Sequence, residues 1–154
     1  MSAAHERLPY VDEHSVEIAA PSQKAWDALA HVVEATVSSG TAPRFARLLG
    51  CEDVEPSGPR PLAEGSALPG FHVAAADAPT ELALAGSHRF SNYALIFRLD
   101  EISPQRSRLR AETRAEFPGL KGAVYRTLVI GTRLHVLATR RIIVAARRRV
   151  EVER

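Results

Sequence analysis

Two histidines and a tyrosine are the side chains in this 154-residue chain whose types and positions point to proton chemistry. His88 and Tyr93 fall on one face of two alternating segments, and His135 falls on the apolar side of a helical one. An imidazole titrates near pH 6.5, at about the pH where it can exchange protons with a bound molecule. His88, Tyr93 and His135 are therefore the candidate catalytic residues, with Thr113 as a further hydroxyl able to orient a carbonyl or hydroxyl group. The competing reading of each histidine is a core imidazole hydrogen-bonded to backbone or water. Other chemistries lack their residues. The six histidines (5, 14, 31, 72, 88 and 135) show no paired ligand spacing and Cys51 stands alone, so no metal and no other cofactor is expected. There is no Walker loop, no Gly-x-Gly-x-x-Gly and no Gly-x-Ser-x-Gly elbow.

The elements that must position these groups are legible from periodicity. From Phe71 onward the period is two. Phe71, Val73 and Ala75 alternate before a turn at Asp77-Ala78-Pro79. Leu82, Leu84, Gly86, His88 and Phe90 share a face, as do Tyr93, Leu95, Phe97 and Leu99. After a turn at Ser103-Pro104-Gln105, Leu109, Ala111, Thr113, Ala115 and Phe117 oppose Arg108, Arg110, Glu112, Arg114 and Glu116. One dry and one wet face is the pattern of an antiparallel meander, with the charged side solvated. Upstream, a half-buried strand covers His14 to Ala20. Pro21 opens a helix carrying Trp26, Leu29, Val33 and Val37. Gly40 stops it, and a shorter helix follows over Pro43 to Leu49. Residues 51–70 are a proline-rich loop with room for short edge strands. Residues 1–12 and 149–154 are expected to be loose ends of a single domain.

After Pro118-Gly119 a helix of about 28 residues is expected, long for a globular domain. At about 100° per residue His135 lies about 180° from Arg126, with Val124, Leu128, Gly131 and Ile142 on its side. Arg126, Arg133, Arg140 and Arg147 repeat every seven residues on the wet side. They form a solvated stripe, or, if Arg126 and Arg133 flank a pocket mouth, a contact for an anionic head group. Ile130, Leu137 and Val144 form a second apolar stripe that a homodimer would cover.

Residues 1–118 carry 11 basic and 16 acidic side chains, residues 119–154 carry 9 and 2. The basic end is read as arginines complementing a helix C-terminus rather than as a nucleic-acid surface. No apolar run is long enough to span a bilayer and no signal-peptide pattern opens the chain, so a cytoplasmic location is expected.

Strand, two helices, meander and final helix is the order of the helix-grip fold. His-Ser-Val-Glu-Ile-Ala-Ala-Pro-Ser-Gln-Lys-Ala-Trp at 14–26 resembles the opening of the START-like, or SRPBCC, superfamily, which includes polyketide cyclases and dehydrases and lipid-transfer domains. Leu84 to Phe97, Ala111 to Gly119, Tyr125-Arg126 and Gly131-Thr132-Arg133 resemble actinobacterial-type members. The resemblance implies an α+β fold in which a curved antiparallel sheet wraps a long C-terminal helix. It also favours a ligand cavity between them. Small residues at Gly86, Ala111, Ala115 and Gly131 would leave the space, since interiors otherwise pack to crystal-like density. Trp26, Phe71, His88, Phe90, Tyr93, Leu95, Phe97, Thr113, Val124, Leu128 and His135 would complete its wall. The expected function is binding of a small hydrophobic or amphipathic molecule, with a cyclase- or dehydrase-like enzyme using the same cavity as the alternative.

Overall fold

Among the described residues the sheet has six antiparallel strands, five in the alternating segments described above and one, of two residues, in the proline-rich loop. The computed structural model describes residues 3–40, 42–129 and 133–153. β1 (Tyr10–Ile18) is followed by α1 (Ser22–Val37) and α2 (Ala42–Leu49). Then come β2 (Ala67–Leu68), β3 (Phe71–Asp77), β4 (Glu81–His88), β5 (Ser91–Ser103) and β6 (Arg106–Glu116), and finally α3 (Gly119–Val129) and α4 (Leu134–Val152). The sheet order is β1-β6-β5-β4-β3-β2. Consecutive strands of the meander thus pair with each other, and β1 closes the sheet against β6. Among the described residues, no helix is long and apolar enough to cross a membrane.

The register sorts the concave face into rows. Gly86, Tyr93 and Ala115 stand side by side; the next row is Leu84, Leu95, Thr113 and Asp12, and the next Leu82, Phe97, Ala111 and His14. α1 and α4 pack on this face and on each other. Under them Leu82, Phe97, Leu109 and Ala111 join Trp26, Leu29, Val33, Ile143 and Val150 in a continuous core. The rows nearer Tyr93 are covered differently, by α2, α3 and the first turns of α4, and there the packing opens.

The C-terminal segment differs from expectation. A single helix does not run from Gly119: α3 ends at Val129, and α4 begins at Leu134 behind Arg133, whose φ of 59° is left-handed. The sequence over 129–132, Val-Ile-Gly-Thr, combines β-branched residues and a glycine, all poor helix formers. The angular phase that placed Val124 and Leu128 beside His135 assumed one axis. With the axis broken, both are exposed, Leu128 at 59%. Gly131 and Ile130 lie outside the described residues. Arg126, Arg133 and Arg140 do face solvent and Arg147 does so partly, though not as one continuous helical line.

The N-terminal lead-in is not loose where it is described. Residues 4–7 make a 3-10 turn, and Arg114 donates to the carbonyls of Glu6 and Leu8 at 3.0 and 2.9 Å. The turn packs against β5, and Leu8 packs on a small convex cluster of Ala83, Ala94 and Ile96. That cover buries Glu112, a residue of the expected wet face, to 6% exposure. At the other end α4 continues to Val152.

Gly86 does not leave empty volume. A Cβ there would stand 2.2 Å from the Gly70 carbonyl oxygen and 2.5 Å from the Tyr93 ring, so the space is already filled. Gly86→Ala is expected to cost about 1–3 kcal/mol, as overpacking does. A thermal or urea denaturation series checks this, and an unchanged midpoint would contradict the close approach.

Candidate functional site

A cavity of about 480 Å³ lies between the Tyr93 end of the sheet and α2, α3 and α4. Phe71, His88, Tyr93, Leu95, Thr113 and Ala115 line it from the sheet and His135 from α4. Trp26, Phe97 and Ala111 do not. Phe97 and Ala111 sit in the core one row deeper along the same face, and Trp26 packs into that core from α1. Phe90 is not on the lining but backs it, stacked on Tyr125 with ring centroids 5.5 Å apart. Wall residues outside the sequence expectation come chiefly from α2 (Phe45, Ala46, Leu49) and α3 (Tyr125, Val129), together with Cys51 and Thr139. The helical pattern of Pro43 to Leu49 marked α2 as a helix, but nothing in it shows which way the helix folds back.

His88, Phe90, Tyr93 and Tyr125 form an aromatic cluster, with the His88 ring 4.8 Å from that of Tyr125 and 5.3 Å from that of Tyr93. The Phe90 amide donates to His88 Nδ1 at 3.1 Å, which leaves the ring hydrogen on Nε2. Burial pulls the His88 pKa below its usual value, so the ring is uncharged at neutral pH. The Tyr93 hydroxyl donates to the Gly70 carbonyl at 2.5 Å and lies 3.7 Å from Cys51 Sγ. Burial, then the neighbouring thiol, pushes that phenol well above its usual range. Its proton is thus committed to fixing the turn between β2 and β3.

His135 is placed differently. Its Nε2 lies 2.6 Å from Asp12 Oδ2, so the ring donates from Nε2 to a carboxylate, which fixes the direction in which Nδ1 points. That Nδ1 is buried and has no hydrogen-bond partner among the described residues; the same holds for Thr113 Oγ1 and Asp12 Oδ1. Asp12 reaches His135 because it stands beside Thr113 in the β1–β6 register, and His14 Nε2 approaches the same carboxylate oxygen at 3.4 Å. Asp12 was missed at the sequence level because the alternation was started at His14. Carried two residues back it places Asp12 inward, with His14, Val16 and Ile18. An oriented imidazole with a free nitrogen at a cavity wall can accept or return a proton, or hydrogen-bond a ligand.

No family model matches this chain, and no curated protein matches it. Solved structures do. Norcoclaurine synthase of Thalictrum flavum, solved with a transition-state analogue, aligns over 96% of this chain and 99% of its own at 15% identity, with a TM-score of 0.57. A protein of Thermus thermophilus aligns over 94% and 99% at 16% identity and 0.54, and Ara h 8.0201 over 92% and 97% at 14% and 0.50. The fold shared with these structures is the helix-grip fold, an α+β architecture with a curved six-stranded sheet and a C-terminal helix. At these identities the shared property is the fold.

Proposed function

We propose that the chain binds one small hydrophobic or amphipathic molecule in the cavity beneath α2 and α3. The observation that carries this is the pairing of a mostly apolar cavity of about 480 Å³ with buried polar atoms on two lining residues, Thr113 Oγ1 and His135 Nδ1, that have no hydrogen-bond partner among the described residues. Cavities of this size hold drug-sized ligands, and such sites use few polar groups to fix orientation. An unmade hydrogen bond in a buried position costs about 1–3 kcal/mol, which a ligand hydroxyl or carbonyl would offset. The test uses 8-anilinonaphthalene-1-sulfonate as an apolar probe with the native chain. Saturable fluorescence is expected, and Ala115→Trp, which places a large ring on the cavity wall beside Tyr93, should weaken probe binding by at least tenfold. A native chain that leaves the probe dark, or a variant that binds it unchanged, would sink the proposal.

A second reading, that a reaction is performed on the ligand, is favoured by the Asp12–His135 pair. Norcoclaurine synthase, with which this chain shares its fold, is an enzyme by name. His135 Nδ1 would be the proton-transfer atom, Asp12 would hold the ring, and His88, uncharged, would offer Nε2–H to an oxygen. General acid–base groups contribute about 10²–10⁴-fold in rate. His135→Gln turning over a polyketide-type substrate at the wild-type rate would remove this reading.

The half-buried Val144 and exposed Leu137 edge a solvent-open groove between α1 and α4 and are proposed as a homodimer seam. Sedimentation equilibrium showing a monomer at all accessible concentrations would dismiss it.

A further inference from the structure

The convex face carries a polar cluster that the cavity does not use. The His5 side chain is 5% exposed, and its Nε2 points at Glu81 Oε1, 4.0 Å away, with no hydrogen-bond partner among the described residues. Glu6 completes a group in which one ligand atom from each of His5, Glu6 and Glu81 lies within 4.8 Å of the others. Arg98 takes one oxygen of each carboxylate, Glu81 Oε2 at 3.1 Å and Glu6 Oε1 at 3.4 Å. Each acid keeps a second oxygen. Arg98 also binds Glu112, and Arg114 binds Glu112. Three carboxylates thus face two guanidinium groups, beside an imidazole nitrogen that has no hydrogen-bond partner among the described residues.

We propose that His5 Nε2 and one oxygen each of Glu6 and Glu81 bind a divalent transition-metal ion of the zinc class, with water completing the shell. Imidazole with carboxylate suits zinc and its neighbours, whereas magnesium and calcium require six or more oxygens. Two ligand atoms each about 2.1 Å from a tetrahedral metal stand about 3.4 Å apart, so side-chain rotation must close the His5–Glu81 pair by about 0.6 Å and the widest pair by at most about 1.4 Å. The doubly charged ion meets a cluster with one carboxylate in excess, and it staples the N-terminal turn to β4. No spacing motif announces such a site, because Glu81 reaches it only through the fold.

The test titrates the full, chelator-stripped chain with zinc. One ion per chain is expected, with a raised melting temperature. X-ray absorption at the zinc edge should show a single imidazole plus oxygen ligands at about 2.0–2.2 Å. Magnesium and calcium should leave the melting temperature unchanged. His5→Gln, at the chain's start and outside the sheet, should weaken zinc binding at least tenfold. His72→Gln, which removes a histidine paired with Asp53 at another position, should not. Glu81→Gln gives a second reading, taken with circular dichroism because Glu81 also holds Arg98. Failure of the wild-type chain to bind zinc, or full affinity in His5→Gln, overturns the proposal.

Discussion

Phe97→Ala is expected to lower the unfolding free energy by about 3–5 kcal/mol, the range for truncating a buried phenylalanine. Phe97 is fully buried, in the row shared with Leu82, Ala111 and His14 and beneath α1 and α4. Its loss removes packing on every side, because neighbours held by two helices and a sheet collapse only partly. Phe71, on the cavity, provides the contrast. Part of its ring already faces space without partner atoms, so Phe71→Ala should cost less than Phe97→Ala. Urea denaturation with an unchanged m-value measures both. If Phe97→Ala cost under about 1.5 kcal/mol, the division of the concave face into a packed end and an open end would be wrong.

That division shows what the sequence could and could not convey. Alternation names the face a residue occupies, and it did so along β4, β5 and β6; in β3 a bulge between Val73 and Ala75 shifts the register, so Ala75 pairs with Ala83 on the convex side and Ala76 with Leu82 on the concave one. Alternation does not encode depth along the strand. Phe97 and Leu95 look alike by period, yet one is core and the other lines the cavity, and the difference lies in which helices cover each row. His135 was legible as inward, but its partner Asp12 lay before the segment where alternation was recognised. Val124 and Leu128 were misplaced for a different reason: an angular argument survives only while the helix axis does, and it fails across Arg133. Glu112 alternates with arginines like any solvated residue. Its burial depends on the turn at 4–7 folding over β5 and β6, a tertiary event with no periodic signature.

The network around Glu112 gives the second large effect. Arg98 donates to Glu112 at 2.7 Å and to Glu81 at 3.1 Å, and it contacts Glu6 at 3.4 Å. Arg98→Met keeps most of the side-chain volume but leaves Glu112 to Arg114 and removes the guanidinium that the Glu81 and Glu6 carboxylates share. Removing one member of a buried ion network typically costs about 3–5 kcal/mol, and partial exposure of Arg98 sets the expectation near about 3 kcal/mol. Exposed pairs such as Arg106–Glu17 carry little by comparison. The pH dependence has a definite sign. Burial alone would raise the Glu112 pKa, but hydrogen bonds from Arg114 and Arg98 outweigh it and hold the carboxyl below its usual 4.5. Asp100, held chiefly by Arg110, is likewise below its usual 3.8. A carboxylate depressed in the folded state stabilises fully above its unfolded pKa, and that contribution is lost as pH falls through the folded value. Wild-type stability should therefore fall below about pH 4.5 as these groups take protons. A milder decline should begin near pH 6.5, where unfolded but not folded His88 is protonated. In Arg98→Met the carboxylates repel one another, so acid relieves part of the defect and the two stability curves should converge toward low pH. Urea midpoints measured from pH 7 down to pH 3 read this directly; curves that stay parallel would show that Arg98 acts through its hydrocarbon stem and not through its charge.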